Sequence, residues 1–153
     1  MTHLKHKILI TGLVCFSAFN LLAQEKTSPA ELTYRNSFNA YVGLIELNIN
    51  YERNIMQRPH SYSNIRAGYG YWTNLQLEGK CIETAFVHVL GRKSSHPEFN
   101  LGIKYIIDKA GKENALVPLL YTGYRYEAPE GRFVFRMGLA FPSIFNLGIG
   151  YKF

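Results

Sequence analysis

The stretch Phe145-Asn146-Leu147-Gly148-Ile149-Gly150-Tyr151-Lys152-Phe153 decides the fold. Every second residue is large and apolar, and the residues between are Asn146, Gly148, Gly150 and Lys152. A period of two is that of a β-strand, whose side chains point alternately to opposite faces. The segment before it repeats the scheme. Phe133, Phe135, Met137, Leu139 and Phe141 share one face, and Arg132, Val134, Arg136, Gly138 and Ala140 share the other.

Working outward, four more segments alternate in the same way. Ile45, Leu47, Ile49 and Tyr51 are interleaved with Glu46, Asn48, Asn50 and Glu52, and Ile65, Ala67, Tyr69 and Tyr71 with Asn64, Arg66, Gly68 and Gly70. Phe99, Leu101, Ile103 and Tyr105 alternate with Glu98, Asn100, Gly102 and Lys104, and Leu120, Thr122, Tyr124 and Tyr126 with Tyr121, Gly123, Arg125 and Glu127. Ile82 to Leu90 is more ambiguous, with apolar residues on both faces and Thr84 and His88 among them. Between Phe38 and Ile55 the apolar parity switches from even to odd, which predicts a two-residue turn at Gly43-Leu44, with Val42 opposite Ile45.

Eight strands result, at 37–42, 45–55, 62–72, 82–90, 97–107, 115–127, 131–141 and 145–153. Turn-forming residues separate the later ones: Gln57-Arg58-Pro59, Gly91 to Pro97, Asp108 to Asn114, Pro129-Glu130-Gly131 and Pro142-Ser143. Most strands approach the roughly 9–11 residues that a tilted membrane strand needs. An even number lets the first and last strands pair antiparallel, so the expected fold is all-β, a closed antiparallel up-and-down transmembrane β-barrel.

The start of the chain reads as a secretory signal peptide over residues 1–23. Lys5 and Lys7 precede an apolar run from Ile8 to Ala23, which ends before Gln24-Glu25-Lys26. A short segment, 24–36, would lead into the barrel at 37–153. The run is shorter than the roughly 20 residues of a spanning helix. Cys15, preceded by Val14 in mid-run, lacks the setting of a lipoprotein site. Removing the leader leaves 15 basic against 11 acidic residues, and Cys81 without an intrachain partner. The bases are scattered along strands, where a nucleic-acid footprint would be a clustered patch.

Two eight-stranded barrels are possible. A soluble one puts the apolar face inside, and a membrane barrel inverts this. Glycines 68, 70, 102, 123, 138, 148 and 150 all fall on the polar face. A water-facing surface has little use for them, whereas a narrow lumen packed with side chains does. The polar face would then carry the acids Glu46, Glu52, Glu98 and Glu127 and the bases Arg66, Lys104, Arg125, Arg132, Arg136 and Lys152 as a lumen charge network. Charges so buried are tolerable when paired. Tyr51, Tyr71, Tyr105, Tyr124, Tyr126 and Tyr151 lie near strand ends on the apolar face, where an interfacial girdle belongs.

The terminal run ending in Tyr151-Lys152-Phe153 is similar to the C-terminal signal through which barrel-assembly machinery reads outer-membrane barrels. More narrowly, the chain resembles a family of small uncharacterised outer-membrane barrels of the Bacteroidetes type. The likeness rests on Asn50-Tyr51-Glu52-Arg53, Arg66 to Tyr71, Leu90-Gly91-Arg92-Lys93 with His96, Gly123 to Pro129, Gly131 to Gly138 and the terminal run, over roughly residues 37–153. A compact first hairpin and a short Pro142 to Phe145 connection depart from it. The resemblance implies an integral outer-membrane location among outer-membrane lipid, and supplies no chemistry.

The residues themselves point to little chemistry. His60, His88 and His96 lack metal-ligand spacing; of these His88 is the one expected to face the lumen. Ser61, Ser63, Ser94, Ser95 and Ser143 fall mostly in turns, with Ser94-Ser95-His96 in a periplasmic turn, and no deacylase-like motif joins them. Gly68 and Gly70, and Gly148 and Gly150, lie inside strands with no following helix, so they are not nucleotide loops. The reading is a monomeric barrel with a structural or interaction role, no cofactor and a closed lumen. A narrow transport or lipid-handling barrel comes second and a lipid-modifying enzyme third.

Overall fold

A computed structural model describes residues 34–73, 78–91, 94–110, 114–128 and 131–153. The signal peptide expected at 1–23 and most of the 24–36 segment lie outside them. Eight antiparallel strands form one closed barrel in sequence order: β1 (Asn36–Gly43), β2 (Glu46–Arg58), β3 (Ser61–Thr73), β4 (Glu78–Leu90), β5 (Ser95–Asp108), β6 (Ala115–Glu127), β7 (Phe133–Phe141) and β8 (Ile144–Lys152). β8 returns to β1, with Phe38 opposite Tyr151 and Val42 opposite Leu147. Closure leaves no sheet edge to be paired elsewhere.

β1 begins and β8 ends at one rim, called here the near rim, where β2 also ends and β3 begins, β4 ends and β5 begins, and β6 ends and β7 begins. The other ends of the strands form the far rim. The strands are strongly staggered. The paired residues Asn36, Arg53, Ile65, Phe86, Leu101, Leu120 and Phe141 climb from the near end of β1 to the far end of β7. Such stagger accompanies the strand tilt that closes a barrel. Two prolines lie inside strands, each where one neighbour has already ended. Pro97 sits one residue past the last β4–β5 pair, Val89 with Glu98, and Pro118 lies beyond the last β6–β7 pair, Leu120 with Phe141. A missing N–H costs no ladder bond there.

The apolar face points outward. Ile49 is 65% exposed beside Asn50 at 1%, and Leu101 is 64% exposed while Lys104 is 1%. The interior is therefore polar, which inverts the pattern of a soluble barrel.

Several boundaries differ from the sequence reading. The first turn is Leu44-Ile45 rather than Gly43-Leu44, so Val42 faces Leu47 and not Ile45. The register moves by two residues, which preserves the faces. Gly43 is needed inside β1, because a Cβ there would stand 2.9 Å from Glu46 Cγ. Ile45 turns inward against Trp72, Cys81 and Ile106 and covers the far end of the lumen. β2 runs to Arg58 because a bulge between Asn54 and Met56 inserts one residue and hides the continuing alternation. β4 begins four residues early, at Glu78, and β5 two residues early, at Ser95, so His96 belongs to a strand and not to a turn.

Candidate functional site, the barrel lumen

The inward positions of all eight strands meet in two connected charge clusters. Toward the far rim, Lys104 of β5 pairs with Glu46 of β2 and lies 3.2 Å from Glu83 of β4. Arg66 of β3 reaches Glu83 at 3.5 Å and lies over the Tyr41 ring at 5.1 Å. Two amides complete this cluster: Asn48 Nδ2 donates to Glu83 at 3.2 Å and Asn146 Nδ2 to Glu46 at 2.9 Å. Trp72 closes the end, with the Lys104 ammonium 5.2 Å from its ring.

The central cluster is built on two guanidiniums. Arg136 of β7 pairs with Glu52 through both terminal nitrogens, Nη2 donating to Oε2 at 2.7 Å, and reaches Glu98 at 3.4 Å and the Tyr41 hydroxyl. Arg125 of β6 donates to Glu52 at 3.1 Å, to Glu98 at 3.4 Å and through Nε to Glu127. Toward the near rim, Glu127 accepts from Tyr62 at 2.7 Å and from Lys152 at 3.3 Å. Asn64 and Asn100 donate to Glu52 and Glu98 at 3.1 and 2.9 Å. Each carboxylate is thus met by at least two donors, the condition under which buried charge is tolerable.

Glu46, Glu52, Arg66, Glu98, Lys104, Arg125, Glu127 and Arg136 are all buried and lie in these clusters, with Lys152 half-buried at their near end. Arg132 does not belong. β7 starts one residue after it, and Arg132 lies exposed on the near rim, 2.9 Å from the Tyr151 hydroxyl. Glu83 is the lumen acid that the sequence reading missed. It sits among Cys81, Ala85, Val87 and Val89 on the inward face of β4, an apolar run that masks the polar face. With Glu83 in and Arg132 out, five acids (Glu46, Glu52, Glu83, Glu98, Glu127) face five bases (Arg66, Lys104, Arg125, Arg136, Lys152) among the described residues.

The histidines also exchange places. His88 faces outward, stacked on Phe86, and its Nδ1 lies 2.9 Å from the Ser63 hydroxyl. His96 is the buried one, edge-on to Tyr62 at 6.4 Å. Ser63 is 2% exposed, and no carboxylate partner of His88 occurs among the described residues, so this pair lacks both the access and the third group of a nucleophile triad. No group of three or more His, Cys, Asp or Glu able to hold a metal occurs among them either.

The inward glycines make room for rings. Gly123 and Gly138 face each other, and a Cβ on either would lie within 2.8 Å of the Tyr121 ring carbon Cζ. A Cβ at Gly148 would stand 3.0 Å from the Tyr41 ring. Two voids bordering the lumen measure about 10 and 20 Å³, space for about one water each. The larger concavity, about 530 Å³, is an outer-wall groove bordered by Phe86, Phe99, Leu101, Leu120, Leu139 and Phe141.

The two terminal residues singled out for assembly lie on the outer face. Tyr151 packs edge-on to Phe133 at 5.7 Å, and Phe153 stacks on Phe38 at 5.4 Å. No family model matches the chain, and no curated protein matches it.

Proposed function

We propose that this chain is an integral outer-membrane β-barrel of the small Bacteroidetes type, exported by the 1–23 leader, with a structural or interaction role and a lumen closed by its own side chains. The observation that carries the reading is the inversion of faces. Large apolar side chains cover the outer wall, and ten paired ionisable groups fill the interior. In water such a surface would be an aggregation hazard, and in hydrocarbon it is the required one. Tyr71 and Tyr105 at the far end of the outer wall, and Tyr51, Tyr126 and Tyr151 at the near end, suit the two interfaces of a bilayer. The closed lumen and the absence of long connections favour a role played at the outer wall and rims over transport or catalysis.

Cell fractionation combined with heat-modifiability on a gel tests this. Mature protein lacking residues 1–23 is expected in the outer-membrane fraction, migrating differently before and after boiling. Soluble periplasmic protein, or an uncut N-terminus on the mature material, defeats the reading. Planar-bilayer recording of pure protein should show no sustained conductance, and reproducible open channels would replace the closed barrel with a transport function.

A further inference from the structure

The rim charges are unevenly divided. At the far rim the described charges outside the lumen are the exposed Glu78, Lys80 and Lys109 and the half-buried Asp108, two of each sign, with Lys109 and Glu78 paired at 3.1 Å. At the near rim they are Arg35, Arg53, Arg58 and Arg132, with no exposed acidic side chain among the described residues. The ion-paired lumen is balanced, so the positive excess of the described barrel lies at this one rim. Nor are the four arginines spread around it. They come from neighbouring parts of one arc: Arg132 leads into β7, Arg35 leads into β1, and Arg53 and Arg58 sit on β2, with β8 between β7 and β1.

None of the four has an ion-pair partner among the described residues. Arg53 projects from the outer wall, paired in register between Asn36 and Ile65 and next in sequence to the inward Glu52. Arg132 is held outward by the hydroxyls of Tyr151 at 2.9 Å and Tyr34 at 3.3 Å, and lies over both rings at 5.8 and 5.4 Å. Directly above this arc the outer wall turns apolar, with Phe38, Phe133 and Tyr151 all exposed. Unpaired guanidiniums bordering an apolar band match an amphiphile with an anionic head and hydrocarbon tails. A soluble anion would use the charges and leave the band unexplained.

We propose that this arc binds anionic phospholipid headgroups, the phosphates meeting Arg53, Arg58 and Arg132 while the acyl chains lie on the apolar wall. Guanidiniums suit this task because their donors match phosphate oxygens in pairs. The inference rests on the membrane reading above, and it names the lipid class that one rim selects.

The test uses the full mature chain refolded in detergent micelles that contain equal amounts of phosphatidylglycerol and phosphatidylcholine, with retained lipids counted by native mass spectrometry. Wild-type protein should keep phosphatidylglycerol in preference. Arg53→Gln alone, a change at a side chain with no partner to disturb, should reduce the preference about fivefold, the usual weight of one surface cation against an anionic membrane. The triple variant Arg53→Gln/Arg58→Gln/Arg132→Gln should abolish it, and Lys80→Gln/Lys109→Gln at the far rim should leave it intact. Equal retention of both lipids by the wild type, an unchanged preference in the triple variant, or heparin binding without any lipid preference overturns the proposal. Flotation with neutral phosphatidylcholine vesicles separates the two levels. A barrel that floats but shows no headgroup preference refutes the arc alone, whereas one that does not float refutes the membrane reading.

Discussion

Replacing Arg136 with leucine removes the most connected cation of the lumen. Arg136 meets Glu52 through both terminal nitrogens, Glu98 at 3.4 Å and the Tyr41 hydroxyl. Breaking a fully buried pair from one side costs about 3–5 kcal/mol, because the remaining charge is left in a poor solvent. Here the loss is softened, since Arg125 still reaches Glu52 at 3.1 Å and Glu98 at 3.4 Å. The central cluster would nonetheless hold Glu52, Glu98 and Glu127 against Arg125 and Lys152, one acid in excess. The expected destabilisation is therefore at the lower end, about 3 kcal/mol. If charge imbalance is the cause, Arg136→Leu/Glu98→Gln should recover at least about 1 kcal/mol of it, a non-additivity expected of groups in one network. Urea unfolding in phospholipid vesicles, read by the fluorescence of the sole tryptophan, Trp72, measures both variants. A loss below about 0.5 kcal/mol for the single variant, within the range of an ordinary surface change, or a double variant no better than the single one, refutes the reasoning.

Met137, one residue along and 54% exposed on the outer wall in the middle of β7, should respond in the opposite sense to charge: Met137→Arg should cost roughly 2–4 kcal/mol in vesicles, and an unchanged unfolding midpoint would place that wall outside hydrocarbon. Gly138→Ala should cost about 1–3 kcal/mol by overpacking, because the new Cβ would lie 2.6 Å from Gly123 Cα and 2.8 Å from the Tyr121 ring; full wild-type stability would mean that the ring does not occupy that slot. Deleting Phe153 should lower insertion in cells while refolding into detergent survives, since the folded barrel loses the stack on Phe38, worth about 1 kcal/mol, and two backbone hydrogen bonds with Asn36, worth about 0.5–1.5 kcal/mol each. Equal cellular insertion of both forms would remove the assembly role.

The fold was legible because strand faces differ so sharply in polarity. Wherever one face is polar or Gly and the other large and apolar, as in Phe145 to Phe153, period and face follow directly. The reading failed where that contrast weakens. On β4 the inward Cys81, Ala85, Val87 and Val89 are as apolar as the outward Ile82 and Phe86, so Glu83 went unassigned and His88 was placed on the wrong side. The misassignment of Arg132 has a different origin. Alternation fixes the side of the sheet on which a residue lies but not where the strand stops, and a long side chain just beyond a strand end can fold outward over its neighbours. The turn at Leu44-Ile45 escaped for a third reason, because Gly43 serves the crowding near Glu46 inside the barrel and was mistaken for a turn residue.

Charge balance connects these corrections to function. A lumen with six bases and four acids would carry two unmatched cations in a narrow interior, and unmatched cations are where an anion path or binding site would begin. Exchanging Arg132 for Glu83 leaves five against five, each carboxylate held by at least two donors and the bordering voids about 10 and 20 Å³. The same exchange moves a guanidinium from the interior to the near rim, where it and three other arginines have no ion-pair partner among the described residues. The interior is thereby spent on holding eight strands in register, and the charge still free to attract a partner sits where lipid headgroups would meet the apolar wall. If the barrel acts through its outer surface, as proposed, substitutions inside should register as stability and substitutions on the arginine arc as lipid selection.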